Sequence, residues 1–244
     1  MKTVIISKDM PSEAVRRLEL SGFEVMKLAS HPKMPSAIAA HPDSLLLKVG
    51  NRIFADADYC EVAPYIFTDL AERYPRLEFS FTEDEVGDVY PKDSRHNAIV
   101  RAGYMIANEK NLCRAAIGYA KEKGLIIKPV KQGYPACTTL VGDGFAITAD
   151  RGIERAISEC GFDVLSVSAG GIRLDPYEYG FIGGASAVIG RTVYFFGDLY
   201  SHPDGRVIES FIESHGMRAV SLFSSPLVDL GGALVIQDEA DGEG

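Results

Sequence analysis

Tryptophan is absent, and only four cysteines occur among 244 residues. Cys60, Cys113, Cys137 and Cys160 form no C-x-x-C pair, so neither a zinc motif nor a disulfide framework is expected. Packed free thiols are the plain reading, because Cys behaves as a small hydrophobe. Basic residues are the minority, with 25 Lys and Arg against 34 Asp and Glu and a formal net charge of -9. No Lys/Arg cluster breaks this balance, so the counterion-release contribution that dominates nucleic-acid affinity has no source. Nucleic acid and anionic membranes are therefore disfavoured as partners. Long apolar runs are missing as well. The opening Val4-Ile5-Ile6 is too short for a secretion signal, and no later stretch approaches the roughly 20 apolar residues of a membrane span. A cytoplasmic protein is expected, with no cofactor and no metal implied by local spacing.

What is present is the composition of a folding chain, 46% apolar and 24% charged, and a repeat marked by its punctuation. An amphipathic helix followed by a turn and a short apolar strand recurs at 11–26, 63–81, 112–127, 153–165 and 206–220. Four of these helices have a glycine just past their end, at Gly22, Gly124, Gly161 and Gly216, where a left-handed cap residue is needed. Ahead of each helix lies a hairpin turning on Gly or Asn. Four hairpins are complete: 44–56, 97–108, 138–150 and 186–198. The fifth is split, its first strand being Ala233-Leu234-Val235-Ile236 and its second Thr3-Val4-Ile5-Ile6. The termini should therefore pair, closing a ring and removing two exposed sheet edges. The expected architecture is α/β, a five-bladed pseudo-symmetric α/β propeller of ββαβ units, forming one domain over 1–236. The acidic tail at 237–244 reads as disordered.

This arrangement resembles the penteins, a superfamily that includes arginine deiminases, amidinotransferases and dimethylarginine dimethylaminohydrolases. Pro42-Asp43-Ser44-Leu45-Leu46-Leu47 is similar to the P-D-S-V-F-V opening the first blade in the dimethylarginine hydrolases, and Leu230-Gly231-Gly232 to the D-G-G before their nucleophile. The resemblance implies guanidine chemistry through a thiolate that attacks the guanidinium carbon, a His that protonates the leaving amine, and carboxylates that grip the cation. This chain departs from that pattern. The nucleophile position holds Val235, and the parallel Gly183-Gly184 pair leads to Ala187. The first-blade carboxylate pair is replaced by Lys48 and Val49. The segment matching the family's H-x-x-S is Gly133 to Ala136, without a His. Only Asp43 matches a substrate-gripping residue, so ordinary guanidine hydrolysis is not expected.

Residues opening the inner strands would share the hub of such a ring: His41 and Asp43; Asp93, Arg95, His96 and Asn97; Cys137 and Thr138; Ser186; Ser224, Ser225 and Asp229. Asp43, Asp93, Asn97, Ser186 and Asp229 form the expected ligand-binding set, for a small polar molecule or a protein partner. Cys137 is the one thiol ahead of an inner strand. The alternative to a packed thiol is a relocated nucleophile, with His96 as base and Asp93 or Asp43 holding an amidine- or guanidine-like substrate. The glycines of Gly180 to Ser186 fit close approach either of a ligand or of a neighbouring blade.

Overall fold

The computed structural model describes residues 2–84 and 86–237. Its strands form five three-stranded sheets built to one plan. A hairpin supplies an antiparallel pair, and a helical crossover returns the chain to lie parallel to the hairpin's second strand, as a parallel neighbour requires. In the second sheet, β3 (Leu46–Val49) and β4 (Arg52–Asp56) are the hairpin, and β5 (Glu78–Thr82) returns alongside β4. The third sheet holds β6 (Ile99–Arg101), β7 (Tyr104–Ala107) and β8 (Ile126–Pro129). The fourth holds β9 (Thr139–Val141), β10 (Phe145–Thr148) and β11 (Asp163–Ser166), and the fifth β12 (Ser186–Ile189), β13 (Thr192–Phe195) and β14 (Arg218–Ser221).

The remaining sheet joins the two ends of the chain. β1 (Lys2–Ser7) lies parallel to β2 (Glu24–Leu28) and antiparallel to β15 (Leu234–Gln237), with Val4 opposite Val235. The expected pairing of the terminal segments is thus observed. Gln237 belongs to β15, opposite Lys2, rather than to a tail; residues 238–244 lie outside the described residues.

The crossover helices are α1 (Ser12–Leu20), α4 (Pro64–Arg73), α5 (Arg114–Glu122), α7 (Arg151–Ser158) and α8 (Gly205–Ser214); α3 (Ala57–Val62) precedes α4. α5 shows how the glycine punctuation works. Gly124 takes φ +76°, which lets the Leu125 N–H reach back to the Ala120 carbonyl at 2.9 Å and close the helix end. α4 has no such glycine and stops at Tyr74, whose hydroxyl donates to Thr3 Oγ1 at 2.9 Å and ties the second unit to the first.

Apolar packing lies between consecutive sheets. Ile5 and Ile236 pack with Leu46 and Ile53, and Leu47 and Phe54 with Met105 and Ala116. Ile99 and Ile106 pack with Ile153, and Phe145 and Ile147 with Val193 and Ile208. The last sheet meets the first through Tyr194 and Phe196 against Val4 and Ile6. Among the described residues no helix is long and apolar enough to cross a membrane.

Four inner strands begin later than the sequence predicts, β3 at Leu46, β6 at Ile99, β9 at Thr139 and β15 at Leu234. Ser44 and Leu45 belong to the helical turn α2 (Pro42–Leu45), and Thr138 to α6 (Pro135–Thr138). Each turn opens on a proline whose fixed φ suits a first helical position and whose missing N–H is not needed there. A 3-10 turn, Lys92–Ser94, precedes β6 in the same way. These turns, rather than the strands, carry Asp43, Asp93 and Cys137.

Candidate functional site

A cavity of about 500 Å³ opens among the connections between sheets. Tyr90, Tyr134, Tyr177, Tyr179, Phe181 and Leu174 line it together with Ser44, Asp93, Cys137 and Asp229. The four polar residues are buried, Cys137 being 4% exposed. Cys137 stands on α6, and its sulfur lies 3.9 and 4.0 Å from the two carboxylate oxygens of Asp229, a residue 92 positions further along the chain.

Asp229 is held from both sides. The Phe181 N–H donates to Oδ2 at 2.9 Å and the Gly231 N–H to Oδ1 at 3.0 Å. Around it the backbone is stripped of side chains. A Cβ on Gly184 would stand 2.5 Å from Asp229 Cγ, and one on Gly180 would strike Asp229 Cβ. Gly184 also knots three segments, its N–H donating to the Cys137 carbonyl and its carbonyl accepting from Leu230 and Gly232. The glycine cluster therefore serves the approach of neighbouring units.

His41 enters from the turn before α2. Its Nδ1 is 3.7 Å from Asp229 Oδ1, beyond hydrogen-bond range, and has no hydrogen-bond partner. Burial pushes the imidazole pKa down to about 3, so the ring is neutral at physiological pH and the approach is not an ion pair. His41 Nδ1, Cys137 Sγ and an Asp229 oxygen all lie within 4.8 Å of one another. Gly231, at φ +74°, packs so closely on the His41 Cβ that no other residue fits there.

Asp43 completes the acidic group. It accepts from Ser44 Oγ at 3.2 Å and interacts with the Cys137 thiol, while its Oδ2 has no partner. Burial raises its pKa to about 6. Burial, and then the Asp43 charge, raise Asp229 to about 7. The same burial, with both carboxylates beside it, pushes the Cys137 thiol well above its ordinary value. At neutral pH the site is a protonated thiol among carboxyls that compete for protons, an environment that favours a cation.

The remaining expected residues are placed differently. Asp93 lines the cavity, hydrogen-bonded to Tyr134, and keeps Oδ1 buried without a partner. Asn97 is occupied by backbone: its Nδ2 donates to the Asp43 carbonyl at 3.1 Å and its Oδ1 accepts from Ala136 N at 2.8 Å, stapling three units. Ser186 donates to the Ile182 carbonyl at 2.8 Å and lines a second cavity of about 270 Å³ along the inner strands, with Asp43, Lys48, His96 and Arg101. His96 faces Thr82, 3.4 Å from its hydroxyl, with Asp56, Asp84 and His31 as neighbours. The ring gathered with Cys137 is His41, so the expected pairing of Cys137 with His96 is replaced. Sequence reasoning placed His41 at the hub but gave it no role; its neighbours arrive from α6 and from the segment before β15.

A protein-family profile described as "Family of unknown function (DUF6873)" matches residues 5–234. The chain belongs to this family. No curated protein sequence matches it. Solved structures do. An adduct of a dimethylarginine dimethylaminohydrolase variant with S-methyl-L-thiocitrulline aligns at TM-score 0.58 and 11% identity, over 90% of this chain and 91% of that one. The dimethylarginine dimethylaminohydrolase of Pseudomonas aeruginosa, as a Cys-to-Ser mutant complexed with citrulline, aligns at TM-score 0.58 and 10% identity over 95% of each chain. SxtG, an amidinotransferase from Microseira wollei in the saxitoxin pathway, aligns at TM-score 0.56 and 10% identity over 99% and 95%. At such identities the likeness is one of fold. This DUF6873 member has the pentein fold, with Val235 at the position where the resemblance places a nucleophile.

Proposed function

We propose that this chain is a five-bladed α/β propeller of the pentein type, a cytoplasmic protein that binds a small polar molecule in the tyrosine-walled cavity without the guanidine hydrolysis of its structural relatives. The observation carrying this reading is Asp93, which lines the cavity with a buried oxygen that has no hydrogen-bond partner among the described residues. Leaving such an acceptor unpaired costs about 1–3 kcal/mol or more, a cost that a ligand's N–H or O–H would remove. The aromatic walls suit a flat or apolar body behind that donor. Unpaired thiols at Cys60, Cys113, Cys137 and Cys160 fit a reducing compartment.

The thiol environment argues against thiolate attack, since the thiol is buried and its proton held by two neighbouring carboxyls. One observation favours the alternative: Cys137 and Asp229 line the cavity, with Asp43 also beside the thiol, and an amidinium or guanidinium seated there would offset both carboxylates and let the thiol lose its proton to solvent. In that reading His41, rather than His96, is the imidazole beside the thiol. The test is a thermal-unfolding screen of guanidines, amidines, amino acids and nucleotides on wild type and Asp93→Asn. A ligand at about 100 times its Kd stabilises by about 2.7 kcal/mol, a shift of roughly 5–10 °C for a chain this size. That shift should vanish in Asp93→Asn. If no compound stabilises the wild type, the small-molecule reading fails and a protein partner replaces it. Turnover of a guanidine that disappears in Cys137→Ala would establish the alternative.

A further inference from the structure

The hub carries a donor set that ligand binding at Asp93 does not use. His41 Nδ1, Cys137 Sγ and an Asp229 oxygen lie within 4.8 Å of one another, and all three residues are buried. One oxygen, Asp229 Oδ1, is approached by both, by His41 Nδ1 at 3.7 Å and by Cys137 Sγ at 4.0 Å. Tetrahedral zinc, with bonds of about 2.0–2.3 Å, spaces its N, O and S ligands about 3.3–3.6 Å apart. Both pairs lie within about half an ångström of that spacing.

A second observation comes from the imidazole itself. The His41 side chain is 3% exposed, and among the described residues its Nδ1 has neither a donor nor an acceptor partner. A buried ring nitrogen left unsatisfied is costly, and it is the atom a metal would engage. Asp229 is already held as a metal-ligating carboxylate usually is, with one backbone N–H on each oxygen and a lone pair left on each. We propose that His41, Cys137 and Asp229 form a three-ligand site for a divalent transition ion of the zinc class, its fourth position open to the tyrosine-walled cavity.

The donor chemistry selects the ion. Thiolate, imidazole and carboxylate together suit zinc and its first-row neighbours, whereas magnesium and calcium take oxygen ligands. Three protein ligands with one open position are the pattern of reactive rather than purely structural zinc. The open side follows from the lining, because Cys137 and Asp229 border the cavity. Binding breaks the Cys137 S–H bond and releases its proton, with any carboxyl proton on Asp229, to solvent. No electron is transferred. Asp43, whose side chain interacts with the thiol, adds negative charge next to the ion. None of this needs an organic ligand in the cavity, so the metal site and the Asp93 reading succeed or fail separately.

The test is a titration of the full chain, stripped with chelator and then dialysed, with Co²⁺. The expected result is one ion per chain, with a thiolate-to-cobalt charge-transfer band and the intense visible bands of tetrahedral cobalt, both displaced by Zn²⁺. Cys137→Ala removes the charge-transfer band. His41→Gln weakens affinity by more than about 100-fold, beyond what loss of an outer-shell contact costs. His215→Gln leaves affinity unchanged. Urea unfolding confirms that each variant is folded; should Cys137→Ala fail to fold, the charge-transfer band of wild type and the His41→Gln affinity decide the question. Absence of a thiolate band in wild type, or unchanged affinity in His41→Gln, overturns the proposal.

Discussion

Replacing Gly184 with alanine isolates the contact on which the hub geometry depends. Its φ is one that any residue adopts, so the effect is steric rather than conformational. The new Cβ would stand 2.5 Å from Asp229 Cγ, about 1 Å inside the ordinary carbon–carbon contact of roughly 3.5 Å. Something must move by that amount. The hydrogen bonds from Phe181 and Gly231 to Asp229 are 2.9 and 3.0 Å long, and stretching them by about 1 Å breaks them. Each buried group left unpaired costs about 1–3 kcal/mol, and forced overpacking about 1–3 kcal/mol more. We expect Gly184→Ala to lose about 3–9 kcal/mol, a large part of the roughly 5–15 kcal/mol that holds a domain together. Urea unfolding followed by circular dichroism reads this as a fall in midpoint. In an Asp229→Ala background the three nearest atoms that the new methyl meets are gone, and the further cost of Gly184→Ala should fall below about 1 kcal/mol. A neutral Gly184→Ala, or the same cost in both backgrounds, would refute the packing argument.

Three further outcomes are expected. Native Cys137 should be alkylated far more slowly than half-buried Cys60, and Asp229→Asn, by removing a neighbouring negative charge, should speed labelling of Cys137 alone; equal rates for the two thiols in wild type would contradict the environment described. His96 has a folded pKa of about 4 against 6.5 for an unfolded histidine. Its contribution is complete above pH 6.5 and is lost as pH falls through 4, so wild type should lose about 3 kcal/mol more than His96→Gln between pH 7 and pH 4; parallel stability curves would sink this. Ile236, 1% exposed on β15, packs where the two ends of the chain meet. Ile236→Ala should cost about 2–5 kcal/mol in one cooperative transition, and a change under 0.5 kcal/mol by urea unfolding would show that the terminal sheet contributes little.

Much of the architecture is legible in the sequence because turn chemistry is local. Gly22, Gly124, Gly161 and Gly216 each take positive φ just beyond a helix, and Gly50, Gly103 and Gly190 do so in hairpins. Their spacing alone separates the units, and the split fifth hairpin forces the ends together. The starts of the inner strands were harder to read. Pro42 and Pro135 look like loop residues in a sequence, yet each opens a single helical turn that aims Asp43 and Cys137 at the hub.

The site was only partly legible for a different reason. Asp43, Asp93, Cys137 and Asp229 were found by their position ahead of inner strands, and they do converge. Asn97 and Ser186 share that position but spend their polar atoms on backbone, which no local pattern records. The choice between His41 and His96 depends on which ring the neighbouring units leave facing Asp229. That is set by contacts such as Gly231 on His41, between residues distant in sequence.

The account rests most directly on occupation of the tyrosine-walled cavity. A crystal structure of the chain with the compound that most raises its unfolding temperature should show that compound between Tyr134 and Tyr177, with a donor on Asp93 Oδ1. The compound seated instead in the second cavity beside Lys48 and Arg101, or at a surface site, would contradict it.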